Sequence, residues 1–494
     1  MTEAPSRGPA PGYPGDADAS DVQSRVAPRD HWLASALTAV MAFEVLSRAT
    51  GAEAARFATY GALLAVVLLA LPRLGLREAY LLSLSGLLSG LLAWLHPAPL
   101  EALALALDQA AFLMAFVLLL GLLHEAAMTS PAIADCGRYL TRQPPGRRFS
   151  AIYLGTNVMA VLFNLGVVSL LAPLIRRGIE EATPGDPANP IRERRQLSAM
   201  LRGFAWGVVW SPTAVAPLAL MSLIPGIERG LWIVMGIGMA LVLMLIGWAE
   251  DQFTWRHRQR AARASGRWAV TPDFPAGAFA RFLVICACLF ALTLGSMAVS
   301  GESVVFGLMA ACPLMLVGWL LAQNGGLGRR AAGLSLARGG EIFRDKLPLS
   351  ARVAVTLACS GYVGRAGAAL VPAAEWAALL GIDAMPGYLF LTALAVAIAL
   401  FSQFALSPIM MAVFFGSLLG ALPSLPAEPT LTALAISSGW ALSMTCSPFA
   451  TVVLMTARAT GHSGARLSWG WNLPFSALAI LALLPIFWLL TGGR

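Results

Sequence analysis

From about residue 31 to its end, the chain is a succession of apolar runs, most long enough to cross a bilayer, joined by short loops. No other feature constrains the fold as strongly. Lipid offers a backbone N–H or C=O no partner, so these runs must be helices, and any break must be sheltered by protein or water. Hydrophobic residues make up 58% of the chain and charged residues 12%, against about 25% charged in a soluble domain. The sequence therefore reads as an all-α polytopic membrane protein whose surroundings are a lipid bilayer. Its net charge of +8 does not imply nucleic acid, because the arginines sit in short loops, where the positive-inside rule places them. Residues 1–30, rich in Pro, Gly, Ala and Asp and without an apolar core, read as a disordered cytoplasmic tail.

Uninterrupted windows occur at about 31–49, 54–72, 79–96, 103–124, 231–249, 280–299, 303–323, 347–371 and 468–491. Four further stretches are interrupted: 150–176, 196–222, 388–421 and 430–457. Arg147 and Arg148 precede the first of these, and Arg176 and Arg177 follow it. A full span would put one pair outside, whereas a re-entrant hairpin turning near Asn164 keeps both inside. With 150–176 and 388–421 as hairpins, about eleven spans remain. Arg73, Arg77, Arg138, Arg142, the run at 256–267, Arg338, Arg344, Lys346, Arg458 and Arg466 then share the cytoplasmic side. The expected placement is multi-pass in the cytoplasmic (inner) membrane, N-terminus in the cytoplasm and C-terminus outside.

The stretch "WGVVWSPTAVAPLALMS" (206–222) carries Ser211-Pro212-Thr213, and "WALSMTCSPFATVVLMTA" (440–457) carries Ser447-Pro448, which follows at a distance of 236 residues. "LFN" at 162–164 matches "LFS" at 400–402, 238 residues on, and Asp135 matches Glu375 at 240. Three features in one order at nearly constant spacing indicate an internal duplication. Five spans between the hairpins, an odd number, invert the second copy. Inverted repeats with paired broken helices point to a secondary transporter with its site near the bilayer midplane. The expected division is tail 1–30, N-terminal scaffold helices 31–102, first repeat 103–249, a connecting region 250–346 of two basic loops and two helices, and second repeat 347–494.

Pro212 and Pro448 each remove a backbone donor and interrupt helical bonding. Free carbonyls suit a cation and half-helix N-termini an anion. The residues expected to bind solute or ion are Asn164, Ser211, Pro212, Thr213, Ser402, Gln403, Thr445, Ser447 and Pro448. Catalytic residues, resident metals and organic cofactors are not expected, beyond coupling to Na+ or H+ at the same positions. The six cysteines lack metal-type spacing and read as packing residues. Of the charges within the runs, Glu44 and Arg48 are expected to pair, Arg202 to lie near the inner surface, Asp108 just below the outer interface, and Arg365 near the outer end of its helix.

"LFNLGVVSLLAPLI" (162–175) resembles the re-entrant hairpin of the ion transporter superfamily, and "RGFAWGVVWSPTAVAPLALM" (202–221) the unwound helix that follows it there. The architecture is most similar to the divalent-anion/sodium symporter group. That resemblance implies eleven spans, two hairpins, a homodimer and an elevator-type movement. Where that group carries Ser-Asn-Thr at its hairpin tips, this chain has Phe163-Asn164-Leu165 and Ser402-Gln403-Phe404. The expected function is a secondary active transporter, or permease, for a small anionic or polar solute, coupled to sodium or protons. The alternative is the channel subunit of a binding-protein-dependent system. The chain lacks a GxxxxGK[ST] nucleotide loop, an HExxH and a GxSxG elbow, so neither an ATP-driven pump nor an enzyme is expected.

Overall fold

The computed structural model describes residues 28–144, 146–264, 273–325, 328, 330–422 and 424–493. The expected tail falls outside these up to residue 27; residues 28–30 are not tail but the start of a helix, because Pro28 is tolerated in a first turn where its missing N–H has no role. Four helices open the chain: α1 (Pro28–Thr50), α2 (Glu53–Ala70), α3 (Leu76–Leu95) and α4 (Pro99–Met128). A short helix, α5 (Pro131–Thr141), leads to a first hairpin, α6 (Arg148–Phe163) and α7 (Gly166–Ala182). A broken helix follows, α8 (Asn189–Gly207) and α9 (Val215–Leu223), and then α10 (Arg229–Ala264), α11 (Ala276–Ser300), α12 (Val304–Asn324) and α13 (Arg330–Glu341). After a π turn at Ile342–Lys346, the pattern recurs. Long helix α14 (Ala351–Ala369), short α15 (Ala373–Leu379), hairpin α16 (Gly387–Phe401) and α17 (Pro408–Gly420), broken helix α18 (Pro429–Cys446) and α19 (Thr451–Thr460), and closing α20 (Leu473–Leu490) repeat the order of α4 to α10.

All described regular structure is helical, and both hairpins and both broken helices fall where the sequence places them. Packing repeats as well. α6 packs on α8 as α16 packs on α18; α9 touches α17 and α19 touches α7, while α4 and α14 pack along each other at the centre. By length and composition, ten described helices suit a bilayer, or eleven if the bent pair of Ala332–Ala369 and Ala373–Leu379 is one span. Gly387–Phe404 is among the ten, yet the chain turns back at Ala405 into α17, which packs against it. The polar start of α8, Arg192 to Gln196, keeps the first broken helix out of that count.

Two expected loops are helical instead. α10 runs to Ala264 and takes in the first part of the basic stretch at 256–267, because Arg, Gln and Ala are strong helix formers once the chain leaves lipid. Residues 330–341, expected as loop, form α13, whose apolar positions lie on one face of a short amphipathic helix.

Close approach in each half depends on a glycine. A Cβ on Gly203 of α8 would lie 2.5 Å from the Tyr153 carbonyl oxygen on α6, and one on Gly439 of α18 would lie 2.7 Å from that of Ala395 on α16. Gly439 follows Gly203 by 236 residues, the same spacing that separates Ser211 from Ser447.

Candidate functional site

Each break is a Ser-Pro-x-Ala turn. The amide of Ala214 donates to the Ser211 carbonyl at 3.1 Å, and that of Ala450 to the Ser447 carbonyl at 3.4 Å. Proline at the second position of a turn pre-sets its backbone, and extended Ala214 and Ala450 then start α9 and α19. The hairpin tips differ in length. In the first, Asn164 alone turns the chain, with φ 47° and ψ −128°. This region favours glycine, and asparagine is among the few other residues that tolerate a positive φ. The second tip takes residues 402–407 and places Ala405 at φ 62°.

Tip and break are bonded together in both halves. Thr213 Oγ1 donates to the Val161 carbonyl, and Asn164 Nδ2 donates to the Thr213 carbonyl at 3.4 Å. Ser447 Oγ donates to the Ser402 carbonyl at 2.7 Å. Gln403 donates to the Ala399 carbonyl at 3.0 Å and to Cys446 Sγ at 3.2 Å, and it accepts from the Trp469 indole at 3.0 Å. Ser211 and Thr213 share a hydrogen bond of 3.2 Å, and Thr445 meets the Ser476 hydroxyl at 2.8 Å. Most of the expected hydroxyls are thus engaged in holding the turns.

A cavity of about 210 Å³ lies beside these turns. Of the nine expected residues, only Asn164 lines it. Pro212 and Thr213 instead border a separate, nearly apolar cavity of about 270 Å³ toward α10, α11 and α12. The first residues of α7, α9, α17 and α19 (Gly166, Val215, Pro408 and Thr451) all border the central cavity. Four half-helix N-termini therefore open onto one space. Such ends carry N–H groups without intrahelical partners and a partial positive charge. Phe163, Trp440, Met444 and Met455 supply apolar wall, and Ser169, Ser407 and His124 add polar groups. The far wall is α4 and α14, through Leu120, His124, Val353 and Leu357.

His124 was not singled out from sequence. The clue was present in Gly166, the residue opposite it: a Cβ there would lie 2.1 Å from His124 Nδ1. Trp440, Met444 and Thr451 could be recognised only once the helix faces were known.

Of the charges singled out within the runs, all but Arg365 are paired among the described residues. Glu44 binds Arg48 at 2.7 Å, and Asp108 binds Arg56 at 2.5 Å together with the Tyr60 hydroxyl. Arg202 is buried within the protein, 2% exposed. Its Nη1 pairs with Glu250 of α10 at 2.8 Å, and its Nε donates to Asn472 at 2.8 Å in the π turn Arg466–Asn472 that precedes α20. Its guanidinium lies 4.4 Å above the Phe475 ring. Arg365, half-buried on α14, has no ion-pair partner among the described residues. The six cysteines are free thiols. Burial, reinforced by the charge of Asp135, pushes the Cys136 thiol of α5 up, away from reactivity. No group of three or more His, Cys, Asp or Glu that could hold a metal occurs among the described residues.

In fold, the chain is similar to the YdaH transporter of Alcanivorax borkumensis, whose crystal structure is described as revealing an unusual topology. The superposition has a TM-score of 0.51 at 15% sequence identity and covers 84% of this chain and 98% of the other. No family model and no curated protein matches the sequence. The likeness is one of fold, and it does not single out the divalent-anion/sodium symporters that the hairpin sequence resembles.

Proposed function

We propose that the protein is a secondary active transporter of a small anionic or polar solute, and that the central cavity receives it. The observation that carries this reading is the convergence of four half-helix N-termini, two from each half of the chain, on one space. An anion there gains from unpaired N–H groups and from aligned dipoles. The wall of Phe163, Trp440, Met444 and Met455 favours a solute with an apolar body beside its polar head.

Sodium or protons drive uptake in this reading. Neither break nor either hairpin tip holds an acidic residue, which favours a cation bound by carbonyls and hydroxyls over a proton-exchanging carboxylate. The cavity lies between α4 and α14 on one side and the hairpins with their broken helices on the other. Such a seam suits an elevator-type movement of the second group against the first, in a homodimer in the cytoplasmic membrane. The halves 103–249 and 347–494 act as the two inverted repeats.

The test is thermal unfolding of the purified protein with a panel of organic acids, inorganic anions, amino acids and sugar acids, with and without sodium. A true solute raises Tm by mass action, about 2.7 kcal/mol at one hundred times Kd. The Asn164→Ala variant should lose that gain while remaining folded, and uptake into proteoliposomes should follow the imposed ion gradient without an added binding protein. An unshifted Tm across the panel, or an equal gain in the variant, refutes the cavity as the site.

A further inference from the structure

A second hollow, about 900 Å³, lies away from the transport cavity. Four elements meet there. They are the Thr129–Ser130 link into α5, the early turns of α11, the last turns of α12, and α13. The apolar part of the wall is Val284, Ile285, Trp319, Leu320 and Leu334. Val284 is 60% exposed and Leu334 47% exposed, so this apolar lining is open to whatever surrounds the protein. The polar part carries two cations, Arg281 and Arg338. Arg281 donates from Nε to the Gly277 carbonyl at 3.2 Å, and it has no acidic partner among the described residues. Arg338 uses Nη1 on Glu341 at 2.6 Å and keeps its other N–H groups.

The position along the bundle matters as much as the composition. Arg281 lies five residues into α11, and Trp319 lies five residues before the end of α12. Both helices are long and apolar enough to cross a bilayer, so the hollow sits at headgroup depth, where tryptophan and arginine are enriched. The elements that form it carry further basic residues, Arg138 in α5 and Arg330 in α13. Basic residues at that depth face the anionic leaflet.

We propose that this groove is a binding site for one anionic phospholipid, with its phosphodiester between Arg281 and Arg338 and an acyl chain along Val284, Ile285 and Trp319. A soluble anion would use the cations and leave the apolar wall open. A zwitterionic lipid would use the wall, but its own cation would face the two arginines. Only an anionic lipid satisfies both parts. A bound lipid would bridge α5 and α11 to α12 and α13, and so join the first hairpin's lead-in helix to the helices that connect the two halves.

Native mass spectrometry of the full chain, purified in micelles doped equally with phosphatidylglycerol and phosphatidylcholine, tests this. The wild type should retain one phosphatidylglycerol in clear preference to phosphatidylcholine. Each arginine near an anionic lipid surface contributes about fivefold, so Arg281→Gln with Arg338→Gln should lower phosphatidylglycerol retention by about twenty-five-fold. Phosphatidylcholine retention should not change. Ile285→Trp, which fills the wall and spares both charges, should also expel the lipid. Equal retention of the two lipids by the wild type, or undiminished phosphatidylglycerol in both variants, overturns the proposal. So does displacement of the lipid by millimolar inorganic phosphate, which would make the site one for a free anion. A change of oligomeric state in Ile285→Trp with phosphatidylglycerol still bound would identify the groove as a contact between copies, and the proposal fails.

Discussion

Removing the Glu250 carboxylate should destabilise the fold strongly, and removing Arg202 with it should not. Arg202 has 3% of its side chain exposed and Glu250 has 14%. In Glu250→Ala the guanidinium stays buried with its charge unpaired. Breaking a buried pair from one side costs about 3–5 kcal/mol. Here the hydrogen bond to Asn472 and the Phe475 ring at 4.4 Å remain, each still favouring the charge, so the lower end, about 3 kcal/mol, is expected. Over 494 residues, an unfolding entropy of about 2.1 cal/mol/K per residue makes each kcal/mol worth about 1 °C, and Tm should fall by about 3 °C. Arg202→Met with Glu250→Leu removes both charges and fills the space. It leaves only the Asn472 carbonyl without its donor, a loss of about 1 kcal/mol. Differential scanning fluorimetry in one detergent, with Glu250→Ala beside the singles Arg202→Met and Glu250→Leu and their double, completes the cycle. If Glu250→Ala melts with the wild type, or the double falls as far as the single, the pair is not the buried lock described here.

Three further outcomes are expected. Asn164→Gly should be more stable than Asn164→Ala by about 1 kcal/mol, because both lose the bond to the Thr213 carbonyl and only glycine relaxes the positive φ of the first tip, so the order of their melting temperatures reports on the turn independently of any solute. Gly439→Ala, which sets a methyl 2.7 Å from the Ala395 carbonyl oxygen, should cost about 1–3 kcal/mol, and a neutral result would show that α16 and α18 have room to spare. Gly166→Ala pushes against the His124 ring, 2.1 Å from the new Cβ. Displacing the ring should cost about 1–3 kcal/mol and reduce a solute's Tm gain at least twofold, and an unaltered gain would show that the solute does not depend on the His124 position.

The Ser-Pro pairs were legible because proline in a lipid-facing run has few tolerated meanings, and their spacing revealed the duplication before any coordinates. Basic pairs on both flanks of 150–176 did the same for the first hairpin, since charge placement is costly to violate. The lining of the cavity was not legible. Ser211, Thr213, Thr445 and Ser447 are the conspicuous hydroxyls, yet each is bonded locally, Thr213 and Ser447 to hairpin carbonyls and the others to neighbouring hydroxyls. The groups that reach the space are helix starts such as Gly166 and Thr451 and apolar side chains such as Trp440 and Met444. Their role depends on how distant helices rotate against each other, which no local pattern encodes. Gly203 and Gly439 stood at the repeat spacing, but glycine is too common in membrane helices for two of them to stand out. α13 was missed because its twelve residues carry three glycines, which masked its amphipathic period.

The bonds from Thr213 to Val161 and from Ser447 to Ser402 set a limit on how the cavity can be emptied. A hairpin that peeled away by itself would leave a buried carbonyl without its hydroxyl partner, a loss of about 1–3 kcal/mol at each tie. Each hairpin is therefore tied to its own kinked partner, and in the proposed cycle the two move as one cassette. The contacts left to separate are those between cassettes, α7 with α19, α8 with α18 and α9 with α17 and α18, and those with α4 and α14. If the cavity holds the solute as proposed, those seams, rather than the loop tips, are where its passage opens.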